Sequence, residues 1–408
     1  MLAKPICARP CILYHISRRE VAMSFFIGRD RQARRAYGFD EIALVPGDLT
    51  LNPDEVDTKL SFGPINLEIP FLASAMDGVV DVSFAIAMGK QGGLGVLNLD
   101  GVNTRYDHPG EVLNQIAQAS PEEATALVQE IYQKPVKKDL IARRVSEIKA
   151  GKVPCAVSTI PQNADSFGPI AQEAGCDLFV VQSTVATVRH QAKKYKPFDI
   201  GAFCKKMKIP VIVGNCVTYS VASELMDAGA SGLLIGVGPG AACTTRGVLG
   251  LGVPQVTATV DCAAARDYYY KRTGKYVPII TDGGMSSGGD ICKAIACGAD
   301  GVMVGSAFAR SKEAPGRGFH WGMATPHQNL PRGTRIQVGV TGSLEEILYG
   351  PSRLDDGSQN LVGALRTCMG SIGASNIREM QAAEIIIAPA IKTEGKIFQR
   401  TQRIGMGK

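Results

Sequence analysis

The chain lacks any run approaching the roughly 18 consecutive apolar residues that a membrane-spanning helix requires, which argues against a helical membrane protein. Closely paired cysteines are also missing. The 11 cysteines include no CxxC unit and form an odd, unevenly spread set. Neither a zinc ribbon nor a secreted disulfide framework is expected from them; reduced thiols in the cytoplasm are. A dominant charge is absent as well: 44 Lys and Arg stand against 38 Asp and Glu, a net charge of +6 spread along the chain. So mild an excess gives no footing for nucleic acid and suits small anionic ligands such as phosphates. A secretory leader is missing too. Residues 1–22 carry Lys4, Arg9, Arg18 and Arg19 against Glu20 but no long apolar core. They read as a dispensable or disordered extension, or a transit peptide, with Met23 opening the folded chain.

What the chain has in quantity is glycine, 46 residues, many at the ends of short apolar runs. Eight such runs recur, at 69–76, 93–99, 153–160, 176–184, 209–216, 232–238, 276–284 and 301–310. They are continuous in Val, Ile and Leu rather than alternating, the pattern of strands covered on both faces. Helical patterns fill several gaps, at 82–91, 166–174, 200–208, 220–230 and 287–299. Eight βα units predict an α/β fold, a (β/α)8 TIM barrel, with a doubly wound sheet as the alternative.

Two stretches break the repeat. Residues 100–150 are polar and helix-favouring, with Ser120-Pro121-Glu122-Glu123 as a helix start, and predict a small helical insertion after strand 2. Residues 311–360 are punctuated by proline and glycine and predict a flap after strand 8. Helices are expected at 361–369 and 377–383, ahead of a basic tail, so that 23–408 forms one barrel domain with 361–408 as its C-terminal helices and tail.

In such a barrel the chemistry sits at the C-terminal strand ends. Those ends carry Ser74 and Met76, Asn98, Gln182 and Ser183, Asn215, the loop 238–245, Asp282-Gly283-Gly284 and Gly305-Ser306. Each residue alone is an ordinary turn residue; together they line one mouth. The glycine turns on the last two strands suit a phosphate, while Asp282, being anionic, suits sugar hydroxyls. In Gly238-Pro239-Gly240-Ala241-Ala242-Cys243-Thr244-Thr245-Arg246 a cysteine follows a glycine-rich turn, where backbone N–H groups favour a reactive thiolate. The plain alternative is a small buried hydrophobe.

This loop resembles the active-site loop of the IMP dehydrogenase/GMP reductase family. Ser74-Ala75-Met76-Asp77, Gly92-Gly93-Leu94-Gly95-Val96, Gly214-Asn215, Asp282-Gly283-Gly284, Gly305-Ser306, Trp321-Gly322-Met323 and Asn360-Leu361-Val362-Gly363-Ala364-Leu365-Arg366 match it further, in family order. The nearest likeness is to the divergent bacterial branch that lacks the tandem regulatory domains. The resemblance implies that Cys243 attacks C2 of a purine nucleotide and that hydride moves between C2 and a nicotinamide cofactor. It implies NAD-dependent oxidation of IMP to XMP, with NADPH-dependent reduction of GMP, or a non-catalytic nucleotide-binding paralogue, as the alternatives. Thr245 and Arg332 would join Cys243 in catalysis. Ser74, Met76, Asn215, Asp282, Gly283, Gly284, Gly305, Ser306, Gly322 and Met323 would bind the nucleotide, and Gln182, Ser183 and Gly236 the NAD. Potassium would sit on the backbone of Gly238, Gly240 and Cys243, in a homotetramer.

The departures from the family are specific. Residues 100–150 cannot contain the regulatory module, so allosteric control through it is not expected. Ala241 stands where the loop carries a phosphate-side serine, and Gln182 where relatives have an aspartate toward the nicotinamide ribose. Between Ser311 and Gly350 no Arg-Tyr pair activates water, as dehydrogenases have it. Arg332 takes the place of the reductases' flap glutamate, which removes a proton donor for ammonia release. His320, His327 and Arg335 are further candidates for activating water.

Overall fold

The computed structural model describes residues 24–194, 196–322 and 335–402. The expected extension 1–22, Met323, His327 and Arg332 lie outside the described residues. The chain forms two compact units, 1–36 and 37–408. In the first, strands Ser24–Gly28 and Arg31–Arg34 pair with each other as an antiparallel hairpin. The barrel lies in the second unit, which opens at Tyr37.

The second unit is a closed barrel of eight parallel strands: β1 (Phe71–Ala73), β2 (Leu94–Asn98), β3 (Ala156–Thr159), β4 (Leu178–Gln182), β5 (Val211–Cys216), β6 (Gly232–Ile235), β7 (Ile279–Asp282) and β8 (Gly301–Val304). Each falls inside one of the eight apolar runs, and β8 closes onto β1 through Val302–Phe71 and Val304–Ala73. Alternate residues divide the two faces. Leu72, Val96, Ala156, Leu178, Val180, Ile212, Leu234, Ile280 and Met303 fill the interior. Phe71, Leu97, Phe179, Val213, Leu233 and Val302 pack outward in the larger core shared with the helices. Both sets are buried, which explains the unbroken apolar runs. A hairpin of Leu60–Phe62 with Ile65–Leu67 joins the interior cluster and plugs the N-terminal end of the barrel.

The surrounding helices are α1 (Val82–Lys90), α2 (Pro109–Gln118), α3 (Pro121–Ile131), α4 (Lys138–Ala150), α5 (Pro161–Glu173), α6 (Ile200–Lys206), α7 (Tyr219–Asp227), α8 (Thr245–Leu249), α9 (Gln255–Thr273), α10 (Gly288–Ala296) and α11 (Ser306–Ala309). α9, the longest, has no counterpart among the sequence expectations. Its buried stripe uses Thr259, Cys262, Ala263 and Arg266 beside Val256, too polar and small to read as a core-facing helix.

The segment after β2 is only partly an insertion. α4 packs on α1 and α5 and so takes the barrel's own helix position. The added material is α2 and α3, which bury Val112, Ile116, Val128 and Ile131 in a cluster of their own with Trp321. Ser120 caps α3 as its sequence predicts, accepting from Glu123 N at 3.3 Å. After β8 come two short antiparallel strands, β9 (Phe319–Trp321) and β10 (Arg335–Gln337), at the base of the expected flap. α12 (Leu344–Tyr349), α13 (Leu361–Ser371) and α14 (Ile377–Met380) follow. The first is started by a capping box between Ser343 and Glu346 that the sequence reading overlooked.

Candidate active site

Three strand ends converge on one carboxylate. Asp282, the last residue of β7, accepts a hydrogen bond from Asn215 Nδ2 at 2.8 Å and from Gln182 Nε2 at 3.0 Å, both on Oδ2. Gln182 also donates to Asn215 Oδ1 at 3.2 Å. Enclosure raises the Asp282 carboxyl to about 6, although both amides pull the other way by stabilising its ionised form. Ser183 fixes the backbone beneath: its amide donates to the Gly214 carbonyl at 2.8 Å and its carbonyl accepts from Asn215 N at 2.9 Å. Gln182 therefore belongs physically to the Asp282 cluster, with its amide donors turned toward it.

The loop after β6 stands beside this cluster. Gly238 has φ of 77°, and a Cβ there would meet Arg246 Cγ at 2.5 Å, so glycine is required on both counts. Arg246 lies along the loop, donating to the carbonyls of Val237 at 3.4 Å and Val253 at 2.8 Å. The turn closes through Cys243 N to the Gly240 carbonyl at 3.0 Å. Cys243 is thereby presented to solvent, while its thiol donates to the hydroxyl of Thr245 at 3.2 Å. Thr245 itself is only 2% exposed, so the thiol has one partner fixed in the wall and one open side. The plain reading of this cysteine as a buried hydrophobe is overturned.

Gly283 and Gly284 run under the same loop, with positive φ of 79° and 81°; a Cβ on Gly284 would stand 3.0 Å from Pro239. Gln255, at the start of α9, stitches the two loops. Its Nε2 donates to the carbonyls of Ile235 at 3.1 Å and Asp282 at 3.0 Å, and it is packed beside Gly236. Nothing in the sequence marked Gln255 except its place behind Pro254 at a helix start.

On the opposite side of the mouth Ser74, Met76, Gly305 and Ser306 come together: a Cβ on Gly305 would be 3.1 Å from Met76 Sδ and 3.5 Å from Ser74 Oγ. Ser306 Oγ shares a hydrogen bond with His320 Nε2 at 3.0 Å. His320 is 2% exposed, its Nδ1 has no partner among the described residues, and burial lowers its pKa to about 4. The ring is thus neutral near pH 7. Neither His320 nor Arg335 is placed as a simple solvated flap residue. Arg335 donates to the carbonyls of Ile116 at 2.5 Å and Ala119 at 2.8 Å at the end of α2, and stacks 4.3 Å from the Phe319 ring. Its guanidinium is an anchor, which removes it from the candidates for activating water. Trp321 Nε1 donates to Tyr132 Oη at 2.9 Å, and Tyr132 donates in turn to Asp77, whose Oδ2 also accepts from Val102 N at 2.8 Å. Complete burial raises Asp77 to about 6. The turn after β1, the insertion and the flap base are one network, ending at Trp321.

The comparisons with known proteins agree with this arrangement. The IMP dehydrogenase / GMP reductase domain model matches residues 36–397. An uncharacterised oxidoreductase of Mycolicibacterium smegmatis is 38% identical over 370 residues, covering 88% of this chain and 99% of that one. The inosine-5′-monophosphate dehydrogenase of Cryptosporidium parvum is 31% identical over 380 residues, covering 84% and 89%. The crystal structure of an IMP dehydrogenase/GMP reductase-like protein from Corynebacterium glutamicum superposes with a TM-score of 0.85 at 34% identity, covering 90% of this chain and 99% of that one. Among the described residues no helix is long and apolar enough to cross a membrane. A closed parallel barrel carrying an exposed thiol on its sixth strand loop and an amide-bound carboxylate on its seventh, matched by these relatives over nearly its whole second unit, places the chain in the IMP dehydrogenase/GMP reductase family of oxidoreductases.

Proposed function

We propose that the protein is an NAD-dependent IMP dehydrogenase that oxidises IMP to XMP through a covalent intermediate on Cys243. The observation that carries this reading is the Cys243–Thr245 pair, an exposed thiol whose only hydrogen-bond partner among the described residues is a buried hydroxyl at 3.2 Å. When the thiol ionises, the Thr245 hydroxyl reverses its role and donates to the sulfur, holding it toward the open side. Asp282, once ionised, accepts from the ribose hydroxyls while Asn215 and Gln182 fix its orientation. Ser306 and the backbone of Gly283, Gly284 and Gly305 take the 5′-phosphate, and Met76 and Ser74 flank the purine. In this reading Gly322 and Met323 also belong to the nucleotide site.

Cys243 adds to C2 of IMP, and loss of hydride from C2 leaves a thioimidate. Gln182, Ser183 and Gly236 would hold the nicotinamide cofactor, which would supply the hydride acceptor. Water set by Arg332 then attacks C2, and the C2–S bond breaks to give XMP and the free thiol. In this reading potassium would sit on the backbone of Gly238, Gly240 and Cys243, in the turn that the Cys243 amide closes on the Gly240 carbonyl at 3.0 Å. Such an ion would stiffen the loop. A homotetramer and a cytoplasmic location belong to the same reading.

Purified protein is to be incubated with IMP plus NAD, and separately with GMP plus NADPH, while absorbance of the reduced cofactor is followed. Growth of NADH with IMP is the expected result. Consumption of NADPH with GMP alone would replace this reading by that of a reductase, and silence in both by that of a nucleotide-binding paralogue. Cys243→Ala is expected to retain IMP binding by calorimetry while forming no product; full activity in it would remove the covalent route.

A further inference from the structure

All nine cysteines among the described residues are free thiols. Six of them fall into three neighbouring pairs that no sequence spacing announces: Cys155 with Cys176, Cys216 with Cys262, and Cys292 with Cys368. In the first two pairs both members are buried, with exposures of 0–3%. The third pair differs. Cys292 is 4% exposed, but Cys368 is only half-buried, and both line a cavity of about 710 Å³ between α10, α13 and the C-terminal segment, together with Lys293, Asn360, Lys392 and Lys396.

The pair sits where two helices come unusually close. A Cβ on Gly288 of α10 would lie only 2.4 Å from the Ala364 Cβ of α13, so the absent side chain lets the axes approach. One turn further along each helix stand Cys292 and Cys368. Cys292 Sγ donates to the Ala364 carbonyl at 3.6 Å, which directs its sulfur toward that next turn of α13. Disulfides need Cβ atoms roughly 3.5–4.5 Å apart, a separation that only such a tight helix pair allows between neighbouring turns.

We propose that Cys292 and Cys368 form an oxidisable dithiol site, open through the cavity to small hydroperoxides, that closes to a disulfide joining α10 to α13. Cys292 is almost wholly enclosed and its thiol donates to the Ala364 carbonyl, whereas Cys368 is half-buried on the cavity wall. The more open sulfur, that of Cys368, is therefore the attacking one; the neighbouring thiol also lowers the pKa of Cys368 and raises that of Cys292. The Cys368 thiolate attacks one peroxide oxygen, the O–O bond breaks, and the leaving oxygen departs as water or an alcohol after taking a proton. The resulting Cys368 sulfenic acid is attacked by the Cys292 sulfur; the S–S bond forms, and the sulfenic oxygen leaves as water with the Cys292 proton. The peroxide gains two electrons in all, one from each sulfur. Cys243 is paired with no second thiol among the described residues and would stop at the sulfenic acid or pass beyond it.

The test uses the full-length Cys243→Ala protein, treated with stoichiometric hydrogen peroxide, alkylated, and mapped without reductant. The expected product has lost the mass of two hydrogen atoms, yields one Cys292–Cys368 linked peptide, and reverts with dithiothreitol. In a Cys292→Ser variant dimedone should label Cys368; in a Cys368→Ser variant Cys292 should stay a thiol. Thermal melts of both variants establish that they are folded. The proposal is overturned if Cys368 reaches the sulfinic acid without crosslinking, if it does not oxidise at all, or if the two buried pairs crosslink as readily.

Discussion

At the scale of the residue, Asp282 shows how a binding group is held at a cost to the fold. Its carboxyl is raised from 3.8 to about 6 by enclosure, against the pull of two amides. The folded state therefore favours the protonated form. The stability this contributes is present below the unfolded pKa near 3.8 and is lost as pH rises through 6, an upper figure of about 3 kcal/mol for a shift of this size. Asp282→Asn should accordingly stabilise the ligand-free protein above pH 6, by up to about 3 kcal/mol in urea denaturation, and leave it little changed near pH 4. The same variant should lose affinity, since an ionised acceptor is exchanged for a neutral amide. Inosine, which has no phosphate to titrate, is the ligand to use: its binding to the parent protein should weaken as pH falls below about 6, and that dependence should vanish in the variant. The place of Asp282 at the end of β7, beside two glycines at the barrel mouth, was legible in the sequence. Its amide partners were not, because Gln182, Asn215 and Asp282 lie far apart in the chain and meet only through barrel closure.

At the scale of the element, the strands were legible and the helices were so only in part. Strands enclosed on both faces must be apolar throughout, and that property survives in a bare sequence. α9 escaped because its buried face pairs polar groups with each other, as in Thr259 with Thr281 at 2.8 Å, instead of showing an apolar stripe. The insertion was legible as extra helix but its work was not. α2 ends on carbonyls that Arg335 caps from the flap, and the Trp321–Tyr132–Asp77 chain ties the other flap strand to the turn after β1. Both flap strands are thereby tied to the insertion, the first through Trp321 and the second through Arg335. Under the proposed function, freeing the second strand by Arg335→Ala should reduce kcat for IMP oxidation by about 10- to 100-fold, the scale of an ångström of misplacement, with IMP affinity within about twofold of the parent. An unchanged kcat accompanied by a lowered melting temperature would show that the arginine only supports the fold.

At the scale of the whole molecule, the two ends of the barrel have separate tasks. The thiol, the amide-bound carboxylate and the glycine turns stand at the C-terminal strand ends, while the N-terminal end is sealed by the hairpin plug and by an ion pair at the entry to β8. There Arg266 of α9 donates to Asp300 at 2.8 Å and to the Gly298 carbonyl at 2.7 Å, with side-chain exposures of 1% and 6% for the two charged partners. Asp300 also accepts from Ile279 N at 2.8 Å at the start of β7 and from Gln381 Nε2 at 3.0 Å just beyond α14. One carboxylate thus joins α9, β7, β8 and the C-terminal helices on the side away from the chemistry. A buried pair of this kind is balanced only while both members are present: removing Arg266 leaves Asp300 enclosed without its counter-charge, at about 3–5 kcal/mol, whereas removing Asp300 leaves Arg266 its half-exposed partner Asp267 at 3.0 Å. Arg266→Met should destabilise by about that amount in urea denaturation, and Asp300→Asn by less. The double variant should fall well short of the sum, because no lone charge remains. IMP turnover measured well below the melting temperature should stay within about twofold of the parent in all three, since conservation of the far end of such a barrel serves stability and not catalysis. A loss of turnover at full folding would mean that the two ends are coupled through α9, whose first residue, Gln255, reaches the carbonyls of the active-site loops.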